Sequence, residues 1–169
     1  FITARDYNLM RRVHRWPAPR WIRVWMICAT RGGDGWLWYA MGIIILLFGG
    51  PARFGAVAAA SLAAGLGIAV FIVLKKRANR KRPCAIEPHC WSKLLPPDRF
   101  SFPSGHTITA FAVALSLSAF YPSLLAGLLF CAGSIALSRI VLGMHFLSDV
   151  VAGALIGSGL AYGAVWLIR

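Results

Sequence analysis

Long apolar stretches alternate with short, strongly basic ones along this chain. Hydrophobic residues run almost unbroken from Trp36 to Phe48, Ala52 to Leu74, Gly105 to Phe120, Leu124 to Leu142 and Phe146 to Ile168. A membrane-spanning helix needs roughly 20 such residues, with a range near 17–25. The second, fourth and fifth stretches are long enough as they stand, and the other two become so once their ends reach into the interface. The pattern predicts an all-α, integral membrane bundle of about five transmembrane helices, forming a single domain over residues 1–169.

Residues 1–31 follow a different rhythm. Leu9, Met10, Val13 and Trp16 recur at helical spacing among Arg11, Arg12 and Arg15, and Thr3 and Asp6 stand at capping-box spacing at the start. Pro17 and Pro19 interrupt the helix, and a second piece carries Trp21, Val24, Trp25 and Cys28 beside Arg20, Arg23 and Arg31. Tryptophans beside arginines suit the headgroup boundary, so an amphipathic interfacial segment is expected here. Gly32, Gly33 and Gly35 around Asp34 make a turn; no strand precedes it, so it is not a dinucleotide fingerprint and receives no chemical task. Gly153 with Gly157, Gly159 with Gly163, and Ala60 with Ala64 are small-residue pairs that let helices approach closely within the bundle.

Composition sharpens the exclusions. Hydrophobic residues make up 59% of the chain and charged ones only 14%, a balance that nearly excludes a soluble domain of this size. The 18 Lys and Arg against 5 Asp and Glu give a formal charge of +13. Asp6, Asp34, Glu87, Asp98 and Asp149 are all the carboxylates, and only Asp149 lies in a long apolar stretch. Two-metal hydrolysis and carboxylate proton relays need several that converge. Cys28 and Cys131 sit in apolar surroundings, whereas Cys84 and Cys90 are near enough in the basic loop to be bridged. Zinc would need more ligands than His89 between them, so no metal is expected. The run KKRANRKR lies between spans, which argues against nucleic acid as a partner.

The basic loop over residues 75–103 must lie outside the hydrocarbon. Its eight Lys and Arg residues would cost on the order of 20 kcal/mol at the bilayer centre. Counting spans on either side then puts the N-terminus, this loop, the start of the third span and the turn before the fifth on one membrane face. Lys75, Arg82, Ser104, Gly105, His106, Arg139, His145 and Asp149 come within reach of one another. Three cations suit a phosphate, and Ser104-Gly105-His106 opens a helix whose free N–H groups favour the same guest. His145 and Asp149 share a helix face, so a carboxylate can orient one imidazole while His106 gives a proton to a leaving oxygen. These residues describe phosphoryl transfer through a phosphohistidine without metal.

Lys75-x6-Arg82-Pro83, Pro103-Ser104-Gly105-His106 and Ser138-Arg139-x5-His145-x3-Asp149 together resemble the three-part signature of the type 2 phosphatidic acid phosphatase superfamily. The resemblance implies that His145 is the phosphorylated nucleophile, Asp149 its relay partner and His106 the acid. It also implies that Lys75, Arg82, Ser104, Gly105 and Arg139 hold the phosphate oxygens, with no cofactor. It points to a multi-pass protein of the inner (cytoplasmic) membrane with its site on the extracytoplasmic face, whereas the positive-inside rule, counting the same arginines, points inward. The substrate expected is a membrane lipid phosphate or diphosphate: an isoprenoid diphosphate, phosphatidylglycerophosphate, phosphatidic acid or a lipid A phosphate. Two rival readings keep part of this picture, a vanadate-dependent oxidase using the same cage and a non-catalytic lipid-binding or transport protein.

Overall fold

The computed structural model of the protein describes residues 4–87 and 100–169. In chain order these form α1 (Ala4–Arg15), α2 (Arg20–Gly32), α3 (Trp36–Phe48), α4 (Arg53–Ala78), a single-turn α5 (Pro83–Ile86), α6 (Gly105–Phe120), α7 (Leu125–Val141) and α8 (Leu147–Ile168). Short 3-10 turns at Gly50–Ala52 and Pro122–Leu124 lead into α4 and α7. With those turns included, Gly50–Ala78, Pro122–Val141 and Leu147–Ile168 span 29, 20 and 22 residues, long and apolar enough to cross a bilayer. The apolar α3 and α6 are shorter, at 13 and 16 residues. The fold is an all-helical, multi-pass membrane bundle.

The hydrophobic pattern places the start of α4 well but not its end. The helix continues a turn beyond Leu74 and stops where Asn79 turns left-handed, at φ 45°. Lys75, Lys76 and Arg77 therefore ride its last turn, where the negative end of the helix dipole favours cations.

Helix α6 is the centre of the bundle, packed between α4, α7 and α8. Its buried residues are mostly small, among them Thr107, Ala110, Ala112, Ala114 and Ser116. The surfaces facing it are small too: Ala56, Ala59, Ala60, Ala63 and Gly67 on α4, and Gly153, Gly157, Ala161 and Ala164 on α8. Lipid gives helices no hydrophobic reason to associate, so close backbone approach between small residues holds them together. A Cβ on Gly153 would come 2.9 Å from the Ser104 carbonyl oxygen. Gly159 and Gly163 differ: nothing lies within 4 Å of theirs, so that pair is not part of the packing.

Large apolar side chains such as Trp36, Phe48, Leu155, Tyr162 and Trp166 are exposed on the outside of the bundle, as a surface facing lipid requires. Helix α2 lies along α7, where Trp25 stacks at 5.7 Å on Phe130. One end of the bundle is tied by Tyr121, whose hydroxyl donates to the Gly49 carbonyl at 2.8 Å, and by Arg169, which donates to the Ala119 carbonyl. The chemistry-bearing residues collect at the other end.

Candidate active site

The turn after α7 sets the position of His145. Gly143 adopts φ +69°, a conformation that favours glycine, and the chain folds back so that the N–H groups of Met144 and His145 both donate to the Arg139 carbonyl at 3.0 Å. The turn thus holds His145 beside the end of α7 that carries Arg139. Helix α8 begins directly afterwards, and Asp149 accepts the Phe146 N–H at 2.8 Å on Oδ2, capping its own helix from inside.

Two further segments close around this turn. Lys81 and Phe100 form an isolated antiparallel bridge, the Ser101 N–H donates to the Arg80 carbonyl at 2.8 Å, and the Cys84 N–H donates to the Gly143 carbonyl at 3.1 Å. The carbonyl of Ser101 is thereby aimed at His145, lying 2.6 Å from Nδ1. A carbonyl can only accept, so Nδ1 carries the proton and Nε2 keeps its lone pair. Nε2 is 3.2 Å from Nη1 of Arg82, whose same nitrogen donates to the Met144 carbonyl at 2.9 Å. The carboxylate of Asp149 approaches Nδ1 only to 3.7 Å, too far for a hydrogen bond, so the sequence reading of a direct His145–Asp149 bond gives way to a carbonyl-oriented imidazole with the carboxylate behind it. Burial, reinforced by Arg139 and Arg82, pushes the His145 imidazole down to about 4 from its ordinary 6.5, so it is neutral at physiological pH.

A cavity of about 370 Å³ adjoins His145. Among the residues expected from sequence, Arg82, Gly105, His106, Arg139 and His145 line it, drawn from the loop before α5, the start of α6, the end of α7 and the turn after it. Arg82 and Arg139 are each only 4% exposed, and Arg139 also donates to the Thr30 hydroxyl of α2. The positive end of the α6 dipole abuts the same space. Gly105 is needed where α4 comes near, because a Cβ there would meet the Phe71 ring at 3.2 Å. Three expected residues stand back from the cavity. Asp149 is fully buried behind His145. Ser104 holds the N-cap position of α6 without a side-chain cap; its hydroxyl accepts from Thr107 at 2.8 Å, and its N–H donates to the Asp149 carbonyl at 3.1 Å. Lys75 places its ammonium 4.5 Å from the ring centre of Phe71, itself a cavity wall.

Three residues that sequence reasoning passed over are central. Arg80, 9% exposed, donates to Asp149 Oδ1 at 2.7 Å, to Ser148 at 2.7 Å and to Asp6 Oδ2 at 2.8 Å. Asp6 of α1 also accepts from the Ser148 hydroxyl at 2.6 Å and N–H at 3.2 Å. Burial works against the charge on Asp6, but the bonds from Ser148 and Arg80 outweigh it and hold the carboxyl below its ordinary range. The interfacial helix is thereby fastened to the carboxylate behind the nucleophile. The third is Asp34, whose Oδ1 lies 2.8 Å from Nε2 of His106. The scarcity of acids was the signal available: among so many cations every carboxylate is worth matching, and Asp98 alone lies outside the described residues. So do Cys90 and His89, and with them the possible Cys84–Cys90 bridge. Among the described residues no three His, Cys, Asp or Glu side chains gather as metal ligands.

Beside this cavity runs an apolar groove of about 330 Å³ between α3, α4 and α6, walled by Trp38, Val57, Ala64 and Val113. Gly35, Tyr39, Ile68 and Thr109 border both spaces, so the cavity that holds the arginines and histidines continues into the hydrocarbon flank of the bundle.

Fold and site together define a helical membrane protein with two imidazoles and two buried guanidiniums around one anion-sized hollow. The chain belongs to the PAP2 superfamily, whose family model matches residues 56–169. It is 40% identical over 93 residues to an acid phosphatase of Zymomonas mobilis, covering 50% of this chain and 34% of that protein. It is 35% identical over 107 residues to the decaprenylphosphoryl-5-phosphoribose phosphatase of Mycolicibacterium smegmatis, covering 61% of this chain and 55% of that one. The chain thus spans a third to just over half of the length of these curated relatives. The crystal structure of Aquifex aeolicus LpxE superposes with a TM-score of 0.83 at 30% identity, covering 97% of this chain and 96% of that one. A PAP2 type phosphatidylglycerolphosphate phosphatase from Bacillus subtilis shares the fold, with a TM-score of 0.74 at 22% identity over 97% of this chain and 84% of the other.

Proposed function

We propose that this chain is a metal-independent membrane phosphatase that hydrolyses a lipid phosphate or diphosphate through a phosphohistidine on His145. The observation that carries the reading is the neutral imidazole of His145, with its Nε2 lone pair beside Arg82 in a cavity shared with Arg139 and His106. The two guanidiniums bind phosphoryl oxygens and stabilise the charge that grows on them in the transition state. Nε2 attacks phosphorus while the bond to the lipid oxygen breaks, and His106 gives that oxygen its proton. Water, losing a proton to His106, then attacks the phosphohistidine, which restores His145 and releases phosphate. Ser101 and Asp149 act on the other ring nitrogen: the carbonyl keeps the tautomer and the nearby carboxylate favours the positive charge that appears on phosphorylation. Lys75, Ser104 and Gly105 complete the phosphate-binding set, Lys75 through its charge at the end of α4 and the other two through the start of α6.

The apolar groove that joins the cavity supports a substrate whose tail stays among the helices while its phosphate enters the cage. A mycobacterial relative named for decaprenylphosphoryl-5-phosphoribose makes polyprenyl phosphates the first substrates to try, followed by phosphatidylglycerophosphate, phosphatidic acid and lipid A phosphates. We place the protein in the inner membrane with the cavity on the extracytoplasmic face, a reading supported by family resemblance. Labelling of single cysteines introduced beside Asp34 and near Arg169 by a membrane-impermeant reagent tests it, and reaction only at the Arg169 end overturns it. The phosphatase itself is tested by phosphate release from a panel of lipid phosphates in chelator. Turnover is expected in the wild type and a loss of many orders of magnitude in His145→Ala. Retained turnover in that variant rules out the mechanism.

A further inference from the structure

The glycine-rich turn between α2 and α3 reads as a simple reversal in the sequence, yet it delivers a carboxylate to the second imidazole. Asp34 Oδ1 is 2.8 Å from His106 Nε2, and both residues line the cavity. The turn is built for this contact. Gly35 sits at φ +121°, and a Cβ on Gly33 would come 3.1 Å from His106 Cδ2 and 2.9 Å from the Ile135 side chain. A side chain at Gly33 would press on the His106 ring, and one at Gly35 would strain the backbone that carries Asp34. Asp34 also precedes the residues matched by the family model, which begin at 56.

The charges facing His106 show what the carboxylate does. Arg139 of α7 and Arg82 of the loop before α5 line the same space with neutral His145, while Lys75 at the end of α4 stands behind the Phe71 wall. Asp34 is the acid among these lining residues, and its other oxygen is 3.8 Å from Arg31 of α2. An imidazole surrounded by cations sheds its proton unless a carboxylate supports it.

We propose that Asp34 is the positioning partner of His106, a proposal that rests on the phosphatase reading above: its carboxylate accepts the Nε2–H, fixes which nitrogen faces the substrate and sustains the imidazolium that protonates the leaving oxygen. Nδ1 then gives its proton to the lipid oxygen as the P–O bond breaks, and later takes one from the water that attacks the phosphohistidine. Nε2 keeps its proton, shared with Asp34, throughout. The site therefore carries two oriented imidazoles, one held by the Ser101 carbonyl for nucleophilic attack and one held by Asp34 for proton transfer.

The test compares the full chain in detergent micelles on two phosphates. Dodecyl phosphate has an alkyl leaving group that needs protonation, whereas p-nitrophenyl phosphate departs without it. Asp34→Asn is expected to lower kcat on dodecyl phosphate on the order of tenfold to a hundredfold with KM little changed, to lower it far less on the aryl phosphate, and to move the alkaline limb of the profile to lower pH. Asp34→Glu should restore part of the loss, and Asp34→Asn should cost nothing further in a His106→Ala background. Equal losses on both substrates with an unmoved pH profile, or a full additional loss without His106, overturn the proposal. If the wild type turns over neither phosphate, or His145→Ala retains activity, the phosphatase reading fails instead. The pair is still decided by the 15N shifts of His106, which must report an Nε2–H tautomer that Asp34→Asn redistributes; unchanged shifts refute it.

Discussion

Replacing Gly157 by alanine adds one methyl group at the tightest point between α8 and α6. The new Cβ would overlap the Ile108 carbonyl oxygen, with the Ala112 nitrogen and the Phe111 Cβ both at 3.1 Å. Two of those three neighbours are helix backbone and cannot rotate away, so the helices must separate. A radial gap of 0.5–1 Å forfeits a quarter to a half of each dispersion contact. Overpacking of this kind costs about 1–3 kcal/mol, and rigid backbone on both sides places Gly157→Ala near the upper end, about 3 kcal/mol. At Gly153 the nearest atom is the Ser104 oxygen at 2.9 Å, so about 1–2 kcal/mol is expected. Gly159→Ala and Gly163→Ala meet no atom within 4 Å and should be neutral or slightly stabilising through helix propensity. Thermal unfolding of the four variants in one detergent reads the order directly. Phosphate release should fall with Gly157→Ala, because α8 carries Asp149 and hydrogen-bonds the Ser104 N–H. If Gly157→Ala and Gly159→Ala melt together, the close approach of α6 and α8 is not what holds the bundle.

Other perturbations test the site end and the far end separately. Asp6→Ala leaves the buried Arg80 guanidinium with one of its two carboxylates and should cost about 2 kcal/mol in thermal unfolding, with a fall in kcat as Arg80, no longer tied to α1, holds Asp149 less firmly; equal stability of wild type and variant would show that α1 is not fastened there. Burial pushes His145 down to about 4, so between that value and 6.5 the folded protein binds fewer protons than the unfolded chain. Stability therefore rises with pH across this window, and about 3 kcal/mol is lost as pH falls from 6.5 to 4. His145→Gln should flatten that slope in melting curves. Gly143→Ala puts a side chain at φ +69° and a Cβ 2.9 Å from Nε2 of His14, so about 1–2 kcal/mol and most of the turnover should go. Tyr121→Phe removes one hydrogen bond at the opposite end, and should cost about 1 kcal/mol in unfolding while leaving phosphate release unchanged.

The helices were legible because lipid imposes one rule on every span, a long apolar run with polar ends. The stretches Trp36 to Phe48 and Gly105 to Phe120 are α3 and α6 to the residue. Helix α4 overran its apolar run because lysine and arginine extend a helix as readily as leucine does. The motif residues were legible because their types and spacing are tied to chemistry. Arg80 was not, since nothing in KKRANRKR distinguishes one cation from another until the chain folds. Asp6 read as a helix cap, a local role that any acid in a first turn satisfies; its actual partners Arg80 and Ser148 lie 74 and 142 residues away. Ser101 acts through its carbonyl, which every residue has, so no side-chain pattern could mark it. Asp34 was hidden by its own glycines, which signal a turn and say nothing of what the turn carries.

The guanidinium shared between Asp6 and Asp149 also constrains the order in which the molecule can be completed. Asp6 emerges from the ribosome before Arg80, and Asp149 only with α8. Helix α1 must wait at the membrane surface until α8 has been threaded, and only then can the three charges close on one another. A chain cut short before α8 would leave Arg80 with one of its two carboxylates. The device that steadies the finished site thus also withholds it from every incomplete one.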